Sequence, residues 1–201
     1  MFEIRYSVVF VGITILWILS RIYTNIKNKD FSLKHEFKLL SVYICLVVII
    51  RIVYFPVSIS KNPSGVLIFD PDRLIPPFIN LVPFVHMFDI YNFRVLNIIG
   101  NITMFIPVGI CWPYCFKWLN SIPKVVLDGG FFSLCIELTQ LLFYDRCTDI
   151  DDLIMNTTGV LIGAIIYFSC KKIRDNLKKK KLDGTVEKEE SSTDVSIVEG
   201  E

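Results

Sequence analysis

Five long apolar segments constrain this chain more than any other feature of its sequence. They run over residues 6–23, 39–59, 95–116, 125–144 and 153–170, and each is close to the ~20 residues that a helix needs to cross a bilayer. Hydrophobic residues make up 53% of the 201-residue chain, more than the core of one soluble domain requires. We therefore predict an all-α, polytopic integral membrane helix bundle with about five transmembrane helices.

The positions of lysine and arginine predict how these helices are oriented. Basic residues accumulate between the first two segments, between the third and fourth, and after the fifth. Short loops rich in lysine and arginine resist translocation, so these three regions are predicted to be cytoplasmic. The amino terminus is then outside, the carboxyl terminus is in the cytoplasm, and the protein lies in the cell membrane. The net charge of +1 gives no general attraction to nucleic acid, and no nucleic-acid partner is predicted.

Two segments are predicted to lie outside the spans. Residues 74–88 are uncharged but contain three prolines, which lack backbone donors, so an interfacial or re-entrant segment is predicted there. Residues 176–201 pass from a lysine run to a stretch rich in glutamate and serine, too polar to bury a core. We predict a transmembrane helical domain over residues 1–175, followed by a disordered charged cytoplasmic tail over residues 176–201.

The polar residues within the spans fall at similar depths. With ~1.5 Å of rise per residue, they lie roughly 6 to 12 Å below the outer ends of their segments. These residues are Arg51, Asn101, Glu137 and Asn156. A charge at mid-bilayer costs about 2.5 to 3.5 kcal/mol on insertion scales, so the charged side chains are predicted to point inward. Glu137 and Arg51 are expected to pair with each other or with the asparagines.

Helical spacing places these residues on common faces. Asn97 and Asn101 are one turn apart, as are Glu137 and Gln140. A further stripe contains Asp152, Asn156, Gly159 and Gly163. Asparagine and glutamine often serve as packing contacts between helices, so a structural role and a functional one stay open for them. For the two glycines, close helix packing is the favoured interpretation.

The predicted outer loop over residues 145–152 is the densest group of polar chemistry. Its carboxylates could bind a hard cation or share general acid and base roles. The alternative is structural, because Asp149 or Asp151 could cap the amino terminus of the fifth helix. The sequence identifies no cofactor, and a metal is neither assigned nor excluded.

Several of these residues fall in an ordered pattern that resembles the VanZ-like family. The pattern covers residues 80–163: Asn80-Leu-Val-Pro-Phe84, Asn97-Ile-Ile-Gly-Asn101, Phe105-Ile-Pro-Val-Gly109, Ile136-Glu137 with Gln140, and Arg146, Asp149, Asp152, Asn156, Gly159 and Gly163 at fixed spacing. The resemblance implies a bacterial cell-membrane protein. Through the founding member of the family, it also implies an association with low-level resistance to the glycopeptide teicoplanin, by a mechanism that is not established.

The functional prediction combines depth, spacing and resemblance. We expect an outward-facing polar site that binds or modifies a cell-envelope lipid or glycan component; the alternative is an intramembrane carboxylate- or metal-dependent hydrolase or transferase acting on a lipid-linked substrate. The expected partners are membrane lipids and a cell-wall precursor or glycolipid. The candidate catalytic residues are Glu137, Asp149 and Asp152, and the candidate substrate-binding residues are Arg51, Asn97, Asn101, Gln140, Arg146 and Asn156.

Overall fold

The fold is a bundle of five helices with two very short sheets at one end. In this computed structural model the described residues are 2–28, 32–55, 66–69, 79–80, 82–83, 92–143 and 148–198. The elements in chain order are β1 (Phe2–Arg5), α1 (Tyr6–Asn28), α2 (Leu33–Tyr54), β2 (Val66–Phe69), β3 (Ile79–Asn80), α3 (Asn92–Cys115), α4 (Ile122–Gln140), β4 (Thr148–Asp149) and α5 (Ile150–Val198). The all-α membrane fold predicted from the sequence is confirmed.

Each predicted span corresponds to one of the helices. Four of them, α1, α2, α3 and α5, are long and apolar enough to cross a membrane. Helix α4 carries three charged residues in its 19 positions, Lys124, Asp128 and Glu137, and is less apolar for that reason. At ~1.5 Å per residue it is still about as long as the hydrocarbon layer is thick. That α4 also crosses the membrane, giving five spans, stays a prediction.

The interhelical contacts give the direction of each helix. Helices α1 and α2 are antiparallel, because Thr14 bonds Tyr43 while Arg21 bonds Glu36. The start of α2 also meets the end of α3, where the Cys115 thiol donates to the Lys38 carbonyl at 3.2 Å. Helix α1 therefore runs in the same direction as α3, and α2 runs opposite to both.

The last helix completes the alternation. Helix α5 runs parallel to α3, because Asn101 bonds Asp152 near the start of both helices, and Gly109 packs against residues further along α5. It runs antiparallel to α4, since Ser133 bonds Asn156 while the earlier Gly129 packs against the later Val160. The five helices thus alternate in direction along the chain, as successive spans must.

The closest packing in the bundle joins α3 to α5 through glycine. A Cβ built on Gly159 would lie 2.2 Å from the carbonyl oxygen of Ile102, and one built on Gly163 would lie 2.2 Å from that of Ile106. From the α3 side, a Cβ on Gly109 would lie 2.2 Å from the carbonyl oxygen of Val160. Only glycine permits two backbones to approach this closely. The packing role predicted for Gly159 and Gly163 is confirmed.

The apolar core lies between α2, α3, α4 and α5. Its fully buried side chains include Ile49, Phe105, Val125 and Val160. No residue in the candidate membrane span of α1 is buried, so α1 lies at the edge of the bundle. Polar contacts fasten α1 to α2: the Arg21 guanidinium donates to both carboxylate oxygens of Glu36, at 2.9 and 2.7 Å.

The two sheets lie at the same end of the bundle, next to the first residues of α1 and α5. Strand β1, just before α1, pairs antiparallel with β2, and β3 pairs in parallel with β4, just before α5. The sequence did not predict these strands. Most of the predicted interfacial segment over residues 74–88 lies outside the described residues, but β3 falls within it and is held against the start of α5.

The carboxyl-terminal residues continue helix α5 to Val198. Lysine and glutamate are good helix formers, and both are abundant after residue 177. The disordered cytoplasmic tail predicted from residue 176 stays a prediction. Residues 171–180 are exposed, which agrees with a helix that extends out of the bundle.

Candidate functional site

The candidate site is centred on Glu137, which lies near the end of α4. Its side chain is only 3% exposed. The carboxylate accepts a hydrogen bond from the backbone N–H of Asp149 at 3.2 Å, and the backbone carbonyl of Glu137 accepts one from the Thr148 hydroxyl at 2.7 Å. Strand β4 therefore covers this end of α4 and fixes the position of the carboxylate.

Asp152 forms the second part of the site, on the first turn of α5. Its carboxylate accepts a short hydrogen bond from the Asn101 amide on α3. Asp149 and Asp152 both lie within electrostatic range of Glu137. Asn101, Glu137 and Asp152 come from three different helices and meet at one end of the bundle.

Asp149 has a clear structural role within the same cluster. It directly precedes α5, and its carboxylate accepts the backbone N–H of Asp151 at 3.0 Å, as an N-cap residue does. The amide of Asn80 donates to both oxygens of the same carboxylate, at 3.2 and 3.3 Å. The capping alternative is therefore confirmed for Asp149, which also ties β3 to the site.

Asn156 and Ser133 form the layer beneath the carboxylates. Asn156 lies one turn after Asp152 on α5, and Ser133 lies one turn before Glu137 on α4. The Asn156 amide donates to the Ser133 hydroxyl at 3.0 Å, and both residues are buried, at 2% and 0% exposure. The Asn156 carbonyl oxygen is buried without a hydrogen-bond partner in the described part of the chain.

Gln140 occupies the inward face of α4, as its spacing from Glu137 predicted. It is 6% exposed and is the last residue of the helix. Of the predicted site residues, the structure thus brings one set together between α3, α4 and α5: Asn101, Glu137, Asp149, Asp152 and Asn156. Gln140 lies one turn after Glu137 and is buried like it.

Two predicted site residues, Arg51 and Asn97, do not join this set, and a third lies outside the described residues. The Arg51 guanidinium lies 5.2 Å from the centroid of the Tyr6 ring, so it makes a cation–π contact and not the predicted pair with Glu137. Asn97 is exposed, because α5 begins to pack against α3 only at the level of Asn101. Arg146 lies outside the described residues, and its place in the site stays a prediction.

Sequence reasoning missed three residues that shape the site. Each forms a hydrogen bond with a predicted site residue. The Ser133 hydroxyl accepts from Asn156, the Thr148 hydroxyl donates to the Glu137 carbonyl, and the Asn80 amide donates to Asp149. Asn80 carried a signal, since it begins the family-like pattern, but it had been given no role. Nothing in the local sequence marks Ser133 or Thr148 as partners of Asn156 and Glu137.

The charged groups that the structure describes at the site are all acidic. Across the described ranges of the chain, the ion pairs are Arg21 with Glu36 and Arg174 with Asp175, and both lie away from the site. Within those same ranges, no group of three or more histidine, cysteine, aspartate or glutamate side chains has an arrangement that could hold a metal ion. Glu137 and Asp152 are therefore held by hydrogen bonds from neutral groups.

Fold and site together define a class: a multi-pass helical membrane protein with an acidic, amide-lined cluster at one end of its bundle. The family model for VanZ/LLP1 matches residues 40–171. The chain belongs to the VanZ/LLP1 family, and with its apolar helices this makes it a multi-pass bacterial membrane protein.

The comparisons also give one named relative. The chain is 34% identical over 108 residues to Protein VanZ from Enterococcus faecium, an alignment that covers 54% of this chain and 62% of the relative. The chain thus spans less than two thirds of that protein. No solved structure matches the chain.

Proposed function

We propose that this protein binds a cell-envelope lipid or glycan component through the cluster around Glu137, and that it thereby contributes to tolerance of glycopeptides such as teicoplanin. The observation that carries the proposal is the meeting of three helices: Asn101 on α3 bonds Asp152 on α5, and Glu137 on α4 accepts the backbone N–H of Asp149 just before α5. Buried charge at the end of a membrane bundle is costly, and residues that bear such a cost mark functional sites more often than packing sites.

The position of the cluster supports an extracytoplasmic ligand. The cluster lies where α3 and α5 begin and α4 ends, whereas Lys38, Lys117, Lys124 and Lys171 lie toward the opposite ends of the helices. Lysine-rich ends are retained on the cytoplasmic side, so the cluster faces outward in this proposal. An outward site is the place where a membrane protein meets cell-wall precursors and glycolipids.

Replacement of Glu137 tests the proposal. We expect Glu137→Gln, and separately Asp152→Asn, to remove glycopeptide protection in a susceptible host that expresses the protein. Asp128→Asn is the matched control, because Asp128 lies on the same helix but belongs to none of the contacts of the cluster. Protection is measured as the minimal inhibitory concentration of teicoplanin at equal protein levels. Full protection by both cluster variants would refute the proposal.

An intramembrane transferase or hydrolase is the second candidate function. It is favoured by one observation: the buried Glu137 carboxylate accepts the backbone N–H of Asp149, three residues before Asp152, so two carboxylates that acid–base catalysis can use lie at the same end of the bundle. The metal-dependent form has no support in the described residues. Turnover of a lipid-linked substrate by the purified protein, abolished by Glu137→Gln and retained by Asp128→Asn, would establish this function over binding alone.

A further inference from the structure

The Glu137 carboxylate has unused capacity to accept hydrogen bonds. An ionised carboxylate offers about four acceptor positions. In the portion of the chain that the structure describes, the Glu137 side chain accepts one hydrogen bond, from the backbone of Asp149 at 3.2 Å. At 3% exposure, water reaches little of the remainder. A donor from outside the described chain would therefore be strongly favoured at this carboxylate.

Among the described residues, the charged groups nearest to Glu137 are acidic. Asp152 and Asp149 both repel the ionised form of Glu137. Arg51, a cation within the membrane-spanning helices, is engaged with Tyr6 instead. Because a buried charge without a partner is destabilising, the cluster is poised to accept a cation.

Asn156 supplies an independent indication of a ligand. Its carbonyl oxygen is buried with no hydrogen-bond partner among the described residues, although the residue is only 2% exposed. The amide nitrogen of Asn156 is held by Ser133, between the same two helices that carry Glu137 and Asp152. This places the orphan acceptor between α4 and α5, on the residue one helical turn after Asp152.

These acceptors match one kind of ligand group. Two described amides of the cluster already donate to its carboxylates, because Asn101 bonds Asp152 and Asn80 bonds Asp149. A phosphate or a carboxylate would meet acceptors and like charge there. A sugar hydroxyl would satisfy the hydrogen bonds but not the charge. An ammonium has three donors, no acceptor and a positive charge, so it satisfies both.

We propose that the space between Glu137, Asp152 and Asn156 binds the ammonium group of an amine-bearing envelope ligand. The inference rests on the proposed function, since it assigns the recognised group at the same site. The amine could belong to a lipid headgroup or to a soluble amino compound, and the two sources share this chemistry.

Binding of a simple amine tests the inference. The full-length protein is placed in phosphatidylcholine nanodiscs and titrated with hexylamine at neutral pH, with hexanol as the uncharged probe of equal length and protein-free nanodiscs as blank. We expect saturable binding of hexylamine by calorimetry and none of hexanol. Equal binding of the two probes, or no saturable binding of hexylamine, would overturn the inference.

Variants show whether binding occurs at this site. Loss of one charged or hydrogen-bonding partner is expected to weaken hexylamine binding by about tenfold or more in both Glu137→Gln and Asn156→Leu. Asp128→Asn is expected to bind like the unmodified protein. Monodisperse elution and unchanged helical circular dichroism establish that each variant is folded. Unchanged binding in folded Glu137→Gln or folded Asn156→Leu would overturn the assignment.

A second arm identifies the source of the amine. Part of the phosphatidylcholine is replaced by phosphatidylethanolamine, and the hexylamine titration is repeated. Competition by phosphatidylethanolamine supports the site and identifies a lipid headgroup, whereas undiminished hexylamine binding supports the site and identifies a soluble amine.

The two proposals can fail separately. Loss of teicoplanin protection in Glu137→Gln without any amine binding would remove the ammonium assignment and leave the proposed function standing. If Glu137→Gln abolished amine binding but left teicoplanin protection intact, the ammonium assignment would stand and the proposed function would fail.

Discussion

The glycine contacts between α3 and α5 lead to the sharpest stability prediction. A methyl group added at Gly159 or Gly163 would lie 2.2 Å from a backbone carbonyl oxygen of the facing helix. Since that oxygen belongs to the backbone, no rotation of a side chain can relieve the overlap. The two helices would have to separate by about 1 Å to restore ordinary contact, with loss of packing along the whole interface.

The expected cost follows from the cost of overpacked cores. Gly159→Ala and Gly163→Ala are each expected to lower the free energy of unfolding by about 1–3 kcal/mol. Gly100→Ala is the matched control on α3, because a Cβ there meets nothing within 4 Å. In that open helical position alanine is expected to stabilise by up to about 1 kcal/mol. Gly130→Ala should fall between them, since its Cβ would lie 3.3 Å from the Thr157 hydroxyl, on a side chain that can rotate.

Unfolding of the purified protein by SDS titration in mixed micelles, followed by circular dichroism, measures these differences. The order of stability should be Gly100→Ala first, then Gly130→Ala, then the two interface variants. If Gly159→Ala and Gly163→Ala both came within about 0.5 kcal/mol of Gly100→Ala in free energy of unfolding, the close approach of α3 and α5 would be refuted. Differences of that size are ordinary scatter when independent mutations are compared.

Three further predictions concern burial, an ion pair and orientation. Asn156→Leu removes the buried hydrogen bond that the Asn156 amide donates to Ser133, so it is expected to lower the free energy of unfolding by about 1–3 kcal/mol in the same SDS titration; unchanged stability would show that this bond does not help to hold α4 to α5. A double-mutant cycle on Arg21 and Glu36 should give a coupling of about 0.5–1 kcal/mol, because the bidentate pair is partly shielded; zero coupling would show that it does not fasten α1 to α2. In single-cysteine variants, an impermeant maleimide should label Cys147 on intact cells and Cys170 only after permeabilisation, and the opposite pattern would invert the predicted orientation.

Much of the helical architecture could be predicted from composition along the chain. The five predicted segments match the five helices, with α1 beginning at Tyr6 as predicted and α2 ending at Tyr54 rather than at residue 59. A bilayer demands about 20 apolar residues in a row with all backbone hydrogen bonds made internally, and that demand is local in sequence. Depth along a helix is also local, which is why Asn101, Glu137 and Asn156 were placed at similar depths.

The partners of each polar side chain depended on the tertiary structure. Sequence spacing predicted the inward face of Glu137 and Gln140, but it could not predict that Arg51 would turn to Tyr6 or that Asn97 would be exposed. Those outcomes depend on where the neighbouring helix begins and how each helix is rotated about its axis.

The tertiary structure alone brought distant segments together. Asn80 meets Asp149 across 69 positions, and Asn101 meets Asp152 across 51. Hydrophobic patterning requires each helix to be buried in lipid or protein but carries no information about which helix becomes its neighbour. The shapes of the packed surfaces determine which helices are neighbours. The glycine contacts let α3 and α5 approach closely, and this brings their polar ends into one cluster.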